Sequence, residues 1–306
     1  MLFNRVLITG ANGLLGQALV RRMSQIREYD VLATARDESP RVEVGSFGYA
    51  PLDVTQPEEV ARIFKDFAPN VVVNCAAMSD VATCDEHRNE AWAVNARAVK
   101  RLAKHCQTTR ARLVQVSSDF VFNGKRGPYD EEARPDPINY YGRTKLAGEN
   151  AVREAGRSNW AVVRTVLLYG TGHDLSRSNV VLWIIDQLSK GEPLHIVDDQ
   201  YRTPTHVDDL ATGIERLVHS EETGIYHVSG PNLVSIYELA CTVAEVFGYD
   251  DSLIEPVASD YFEEDVERPP RTGFIIDKAE ADLNYEPRSL ETGLKDLRAH
   301  LNSPSS

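Results

Sequence analysis

No stretch of the 306-residue sequence approaches the roughly 18 apolar residues that a membrane-spanning helix requires. The most apolar run, Val180-Val-Leu-Trp-Ile-Ile185, ends at Asp186, so no membrane partner is expected. Cysteine is scarce, and Cys75, Cys84, Cys106 and Cys241 form no C-x-x-C pair. Nothing resembling a signal peptide precedes the first apolar strand, which makes a reducing cytoplasm the expected compartment. Positive charge is also in short supply. Lys and Arg number 33 against 46 Asp and Glu, a net charge of −13. That balance argues against nucleic acid, because clustered cations supply most of the affinity for a polyanion. The familiar hydrolytic signatures are missing as well: there is no Gly-x-Ser-x-Gly elbow, no His-Glu-x-x-His and no Gly-Lys-Ser/Thr phosphate loop. His206 reads as a packing or capping residue. The acidic runs Asp198-Asp199 and Glu263-Glu-Asp265 read as solvated faces.

What is present is a 42% hydrophobic content and an alternation of short β-branched runs with helical patterns over the first 165 residues. This predicts an α/β fold with a doubly wound parallel sheet. Strands are expected at 5–9, 30–35, 48–52, 71–75, 112–118 and 160–167, and helices at 14–27, 56–67, 85–107 and 138–156. Beyond about residue 168 the pattern is less regular, with a helix near 178–190, a strand at 194–197 and helices near 206–219, 235–247 and 289–301. The expected division is a nucleotide-binding domain over 1–168 and a smaller α/β lobe over 169–306, with segment 205–229 packing back onto the first. No Gly- or Ser-rich linker separates them, so a shared cleft is expected. The ending Asn302-Ser-Pro-Ser-Ser reads as a frayed tail.

Two motifs carry chemistry. Gly10-Ala-Asn-Gly13-Leu-Leu-Gly16 directly follows the apolar strand Arg5-Val-Leu-Ile-Thr9 and opens a helix. In that order Gly10 can make the tight turn, Gly13 can admit a pyrophosphate and Gly16 can let the helix sit close to the sheet, as a nicotinamide dinucleotide site needs. Tyr141 and Lys145 stand four residues apart. On a helix that spacing puts phenol and ammonium on one face, where the cation can lower the phenol pKa and prepare it to exchange a proton with a carbinol. Ser117-Ser118-Asp119 lies at the carboxyl end of a strand, the edge where open α/β sheets place ligands. A hydroxyl there could share a substrate oxygen with Tyr141.

The tip of the second strand, Val31-Leu-Ala-Thr-Ala35, is followed by Arg36 rather than by an acid. An arginine there accommodates a 2′-phosphate, so NADP(H) is preferred and NAD(H) remains open, the alternative being a solvated surface residue. Asp53, in Pro51-Leu-Asp-Val54, either accepts from an adenine amino group or caps the following turn. The small residues of Asn74-Cys75-Ala76-Ala77 either let backbone approach the cofactor or simply pack tightly. The expected cofactor contacts are Gly10, Asn12, Gly13, Leu14, Leu15, Gly16, Arg36, Asp53, Val54, Cys75, Ala76, Ala77, Asn95, Ser117, Tyr141 and Lys145.

Together with Ser117-Ser-Asp-Phe-Val-Phe-Asn-Gly124, Arg202-Thr-Pro-Thr205 and Arg268-Pro-Pro-Arg271, these motifs resemble the extended short-chain dehydrogenase/reductases. Within that superfamily the chain resembles the dTDP-4-dehydrorhamnose reductase family over nearly its whole length. The resemblance implies a Rossmann fold and NADPH-dependent reduction of a nucleotide-linked 4-keto-6-deoxy sugar. It makes Ser118, Tyr141 and Lys145 catalytic, and Ser79, Ser118, Asp119, Phe120, Arg202, Arg268 and Arg271 substrate-binding, although each arginine could instead sit in a structural ion pair. Two departures stand out. Arg164-Thr-Val-Leu-Leu168 lacks an aromatic that family members often show, and Ala18 replaces a glutamate used by some in a magnesium-linked contact, so no metal is expected. A homodimer is left open. The same blocks, with Pro128-Tyr-Asp-Glu-Glu132 and Thr203-Pro-Thr-His-Val207, are equally similar to the regulatory beta subunit of methionine adenosyltransferase, an NADP-binding partner protein. A sugar-nucleotide epimerase is a further alternative, whereas a dehydratase is disfavoured because Phe120 stands where its acid pair would need a glutamate.

Overall fold

The computed structural model describes residues 4–42, 46–155, 159–175, 178–262 and 266–302. Within them, seven strands form one parallel sheet: β1 (Asn4–Thr9), β2 (Tyr29–Ala35), β3 (Gly48–Pro51), β4 (Val71–Asn74), β5 (Arg112–Ser118), β6 (Trp160–Thr165) and β7 (Gly224–His227). Their spatial order is β7-β6-β5-β4-β1-β2-β3. Apolar residues on both sides of each central strand demand cover on both faces of the sheet. One face packs Val6, Ile8, Val73 and Val114 against Leu19 and Met23 of α1 (Leu14–Met23) and Leu210, Ile214 and Leu217 of α8 (Val207–His219). The other packs Leu7, Val72, Leu113 and Val162 against α2 (Pro57–Phe67), α5 (Val99–Thr109) and α6 (Tyr140–Ala155).

The order reverses between β1 and β4, and β1 pairs with both β2 and β4. A crevice therefore opens beyond their carboxyl ends, where Gly10 and Cys75 begin the following loops. A second apolar cluster joins Ile184 and Leu188 of α7 (Val180–Ser189), Leu239 and Val243 of α9 (Ile236–Phe247) and Leu294 and Leu297 of α10 (Leu290–Asn302). It is completed by the parallel pair Leu194–Val197 and Ile254–Val257.

Three elements depart from the periodicity. The sheet gains β7, which pairs in parallel with Ala161–Arg164 and is too short to show a pattern. α1 ends at Met23 rather than 27, its last turn closed by the Ser24 N–H on Val20. The helix expected over 85–107 is broken into α3 (Val81–Glu86), α4 (Arg88–Trp92) and a π-helical turn, Ala93–Ala98, that runs into α5. Asp80 caps α3 through Thr83 N (2.8 Å), and His87 leaves helical geometry between the first two. The wide turn projects the Asn95 carbonyl towards α6, where a Cβ on Gly148 would lie 2.5 Å from it. The tail beyond Asn302 and the acidic run at 263–265 lie outside the described residues.

Candidate active site

The glycine loop turns as its spacing demands. Gly10 has φ +68°, and a Cβ there would lie 2.7 Å from the Ala76 nitrogen, so the two loops over the switch point touch. A Cβ on Gly16 would lie 2.2 Å from the Gly10 oxygen, which fixes how closely α1 approaches the loop. Gly13 differs, because a Cβ there would meet only the Gly10 oxygen at 3.4 Å. It is the N-cap of α1, with no side-chain cap and no acid in the first turn. The helix thus offers bare N–H groups to a cleft of about 1150 Å³ lined by Gly10, Gly13, Leu14, Leu15 and Gly16. That is a ready anion site.

Around this loop the expected outer contacts behave differently. Arg36 is exposed at the end of β2. The neighbouring Asp37 is already engaged, its Oδ2 accepting from Asn12 Nδ2 (2.7 Å) and pairing with Arg41 at 3.2 Å. Asn12 and Asp37 brace the loop, with Arg41 N donating to Asn12 Oδ1 (3.0 Å). Asp53 caps its turn, accepting from Thr55 N (2.8 Å) and Thr55 Oγ1 (2.7 Å). Val54 is buried and its carbonyl accepts from Arg101. Neither Asp53 nor Val54 lines the cleft. Asn95 does not line it either. Its amide donates to Met78 O (2.9 Å) and Thr144 Oγ1 (3.0 Å) and accepts from Met78 N (3.0 Å), so it holds the loop after β4 against α6. Ala76 packs on Gly10, while Cys75 and Ala77 face the cleft.

The reacting centre is assembled from β5 and α6. Asn139 caps α6 through Gly142 N (2.9 Å) and also donates to Glu267 O (3.0 Å), which ties the helix start to the segment bearing Arg268. A Cβ on Gly142 would lie 2.0 Å from the Phe120 oxygen, so only glycine lets α6 approach the turn after Ser118 this closely. Tyr141, Lys145, Ser117 and Ser118 consequently line one wall. The Tyr141 ring meets Phe120 edge-on at 5.7 Å. Ser118 Oγ accepts from Phe120 N (3.2 Å) and donates to Asp119 Oδ1 (3.0 Å). Lys145 is buried, donates to Val116 O (2.8 Å), and is pushed down to about 8 by burial against the opposing pull of Glu149. Ser117 Oγ donates to Glu149 Oε1 (2.6 Å), and Glu149 is gripped by Arg164 at 2.9 and 2.7 Å. Glu149 and Arg164 are both fully buried.

The expected substrate contacts divide. Ser79, Asp119, Phe120, Arg202 and Arg268 line the cleft. Arg202 is also a structural partner: it pairs with Asp119 at 3.7 Å, donates to Tyr201 O (2.8 Å) and stacks over Phe120 at 5.6 Å. Burial raises the Asp119 carboxyl above its usual range despite Arg202 and a hydrogen bond from Thr272, and burial lowers Arg202. Arg271 is outside the cleft. Its Nε donates to Gly127 O (3.0 Å) and its guanidinium stacks on Tyr201 at 4.8 Å, which braces the chain around Gly127. Ala18 is buried in the core that α1 shares with α8. Among the described residues, no three His, Cys, Asp or Glu side chains cluster to hold a metal ion, and no helix is long and apolar enough to cross a membrane.

Sequence reasoning missed the opposite wall. Trp183, Val197, Gln200, Ile236, Ser259 and Phe262 line it from scattered segments. Trp183 becomes visible only from the structure, where Val181, Ile184 and Leu188 complete the core face of α7 and leave it off that face.

The family model for the RmlD substrate binding domain matches residues 4–303. The chain belongs to this family. A dTDP-4-keto-6-deoxy-D-glucose reductase of Streptomyces niveus is 36% identical, covering 84% of this chain and 83% of its own. Methionine adenosyltransferase 2 subunit beta of Bos taurus is 35% identical over 83% of this chain and 75% of its own. The crystal structure of dTDP-4-dehydrorhamnose reductase from Bacillus anthracis, in complex with NADP, superposes with a TM-score of 0.87 at 31% identity, covering 97% and 99% of the two chains.

Proposed function

We propose that the chain is an NADPH-dependent reductase of a nucleotide-linked 4-keto-6-deoxy sugar, similar to dTDP-4-dehydrorhamnose reductase. One observation carries the reading: Ser118, Tyr141 and Lys145 line the same cleft as the uncapped N-terminus of α1. The residues present fit a dinucleotide, because the space over Gly13 is open and the carboxylate of Asp37 is engaged by Asn12 and Arg41. In this reading exposed Arg36, at the end of β2, receives a 2′-phosphate, with NAD(H) a permitted second cofactor. The nicotinamide, when bound, supplies a hydride to a carbonyl carbon.

The chain's own residues do the rest. Tyr141 gives its phenolic proton to the developing alkoxide, and Ser118 Oγ lies at the end of β5 to hold the same oxygen. Lys145, one helical turn after Tyr141, keeps its charge below about pH 8, favouring negative charge in its surroundings. Arg268 and Arg202 offer positive charge to a diphosphate, Arg202 with part of its charge already met by Asp119. Ser79 is a further substrate contact in this reading.

The test is NADPH oxidation against a panel of dTDP- and UDP-linked keto sugars, with turnover expected for a 4-keto-6-deoxy substrate. Similarity to methionine adenosyltransferase 2 subunit beta supports a second reading, an NADP-binding regulatory protein. That reading expects NADPH binding, no turnover on any sugar, and capture of an adenosyltransferase from source lysate.

A further inference from the structure

We propose that Trp183, with Leu167, Leu168 and Val180, forms the wall on which the sugar ring of the substrate stacks; this rests on the sugar-nucleotide reading above. All four line the cleft. Trp183 is 42% exposed, although an indole has much apolar surface to bury. Among the described residues no other aromatic ring and no cation stacks on it. The core of its helix is complete without it, since α7 buries Val181, Ile184 and Leu188. Val180 and Trp183 stand three residues apart and so share a helical face.

Connectivity links this face to the strand end that carries Ser118. In the sheet Ser118 is paired with Thr165, and Leu167 and Leu168 follow two and three residues later. α7 packs against the short strand Leu168–Tyr169, and its capping residue Asn179 donates to Gly170 O at 2.9 Å. The start of α7 is therefore tied to the chain that follows β6, a few residues beyond the strand partner of Ser118. The polar groups suited to a nucleotide, Gln200, Ser259, Asp260 and Arg268, come from other segments. A deoxy sugar presents C–H groups to such a wall, and its stacking is a contact the nucleotide alone does not make.

Calorimetric titration of the full chain with dTDP and with dTDP-L-rhamnose, for the unmutated protein, Trp183→Ala and Trp183→Phe, tests the assignment. Trp183→Ala should weaken dTDP-L-rhamnose about tenfold and dTDP less than about twofold, and Trp183→Phe should recover most of the loss. Tryptophan fluorescence should be quenched more by dTDP-L-rhamnose than by dTDP, and Trp183→Ala should abolish the difference. Equal weakening of both ligands would assign the indole to the base, and unchanged affinity for both would remove it from the site; either result overturns the proposal. If the unmutated chain binds NADPH but neither nucleotide, the sugar-nucleotide reading itself fails and takes this inference with it.

Discussion

Glu149→Gln tests whether the buried pair beneath the reacting centre supports both fold and chemistry. Glu149 and Arg164 are each fully buried, joined by two hydrogen bonds of 2.7 and 2.9 Å, and Glu149 also accepts from Ser117 Oγ. Neutralising one member leaves Arg164 charged in a dry interior, a loss of about 3–5 kcal/mol for a buried pair broken on one side. For a chain of this size that corresponds to a fall of roughly 5–8 °C in Tm. The second consequence is electrostatic. Burial lowers Lys145 to about 8, and Glu149 is the main influence holding it up, so the variant should lower it further. Lys145 is charged below its pKa and loses that charge as pH rises through it, so the alkaline limb of the reduction rate should begin near pH 8 and move to lower pH in the variant. Replacing both residues with Met should restore part of the stability, because the unpaired charge is gone. Differential scanning calorimetry and a pH–rate profile give the answer. A Tm within about 2 °C of the unmutated protein would refute the stability argument, and an unmoved alkaline limb would refute the coupling to Lys145.

Other substitutions separate the parts of the cleft. Gly16→Ala puts a methyl 2.2 Å from the Gly10 oxygen, and fluorescence titration should show NADPH affinity falling by about tenfold or more because backbone must move. Arg36→Ala should narrow a preference for NADPH over NADH measured in the same way, and equal affinities in the unmutated protein would contradict the assignment. Arg268→Ala should reduce the thermal protection given by dTDP. Arg271→Ala should instead lower Tm with little change in protection, since its partners are Gly127 and Tyr201.

The glycine loop and the Tyr141–Lys145 pair were legible in the sequence because each depends on spacing within one element. The glycines meet atoms of their own loop and of its neighbour across the switch point. Roles that depend on distant segments were not legible in this way. Arg271 lies 144 residues from the carbonyl it holds, and nothing local separates it from cleft-lining Arg268. Asp53 shows the reverse case, with a two-residue contact to Thr55 that the sequence allowed but could not choose over an adenine contact. The π-helical turn at Ala93–Ala98 left no periodic trace either, because it arises where Gly148 lets α6 close on Asn95. Trp183 was readable only after the buried face of α7 was known.

The most direct test of the account follows NADPH absorbance with dTDP-4-keto-6-deoxyglucose as substrate, for the unmutated chain and for Tyr141→Phe. The unmutated chain should turn over, and the variant should be slower by about 10²–10⁴ with its affinity for NADPH retained. Near-normal turnover in Tyr141→Phe, or no turnover by an unmutated chain that binds both NADPH and dTDP, would contradict it.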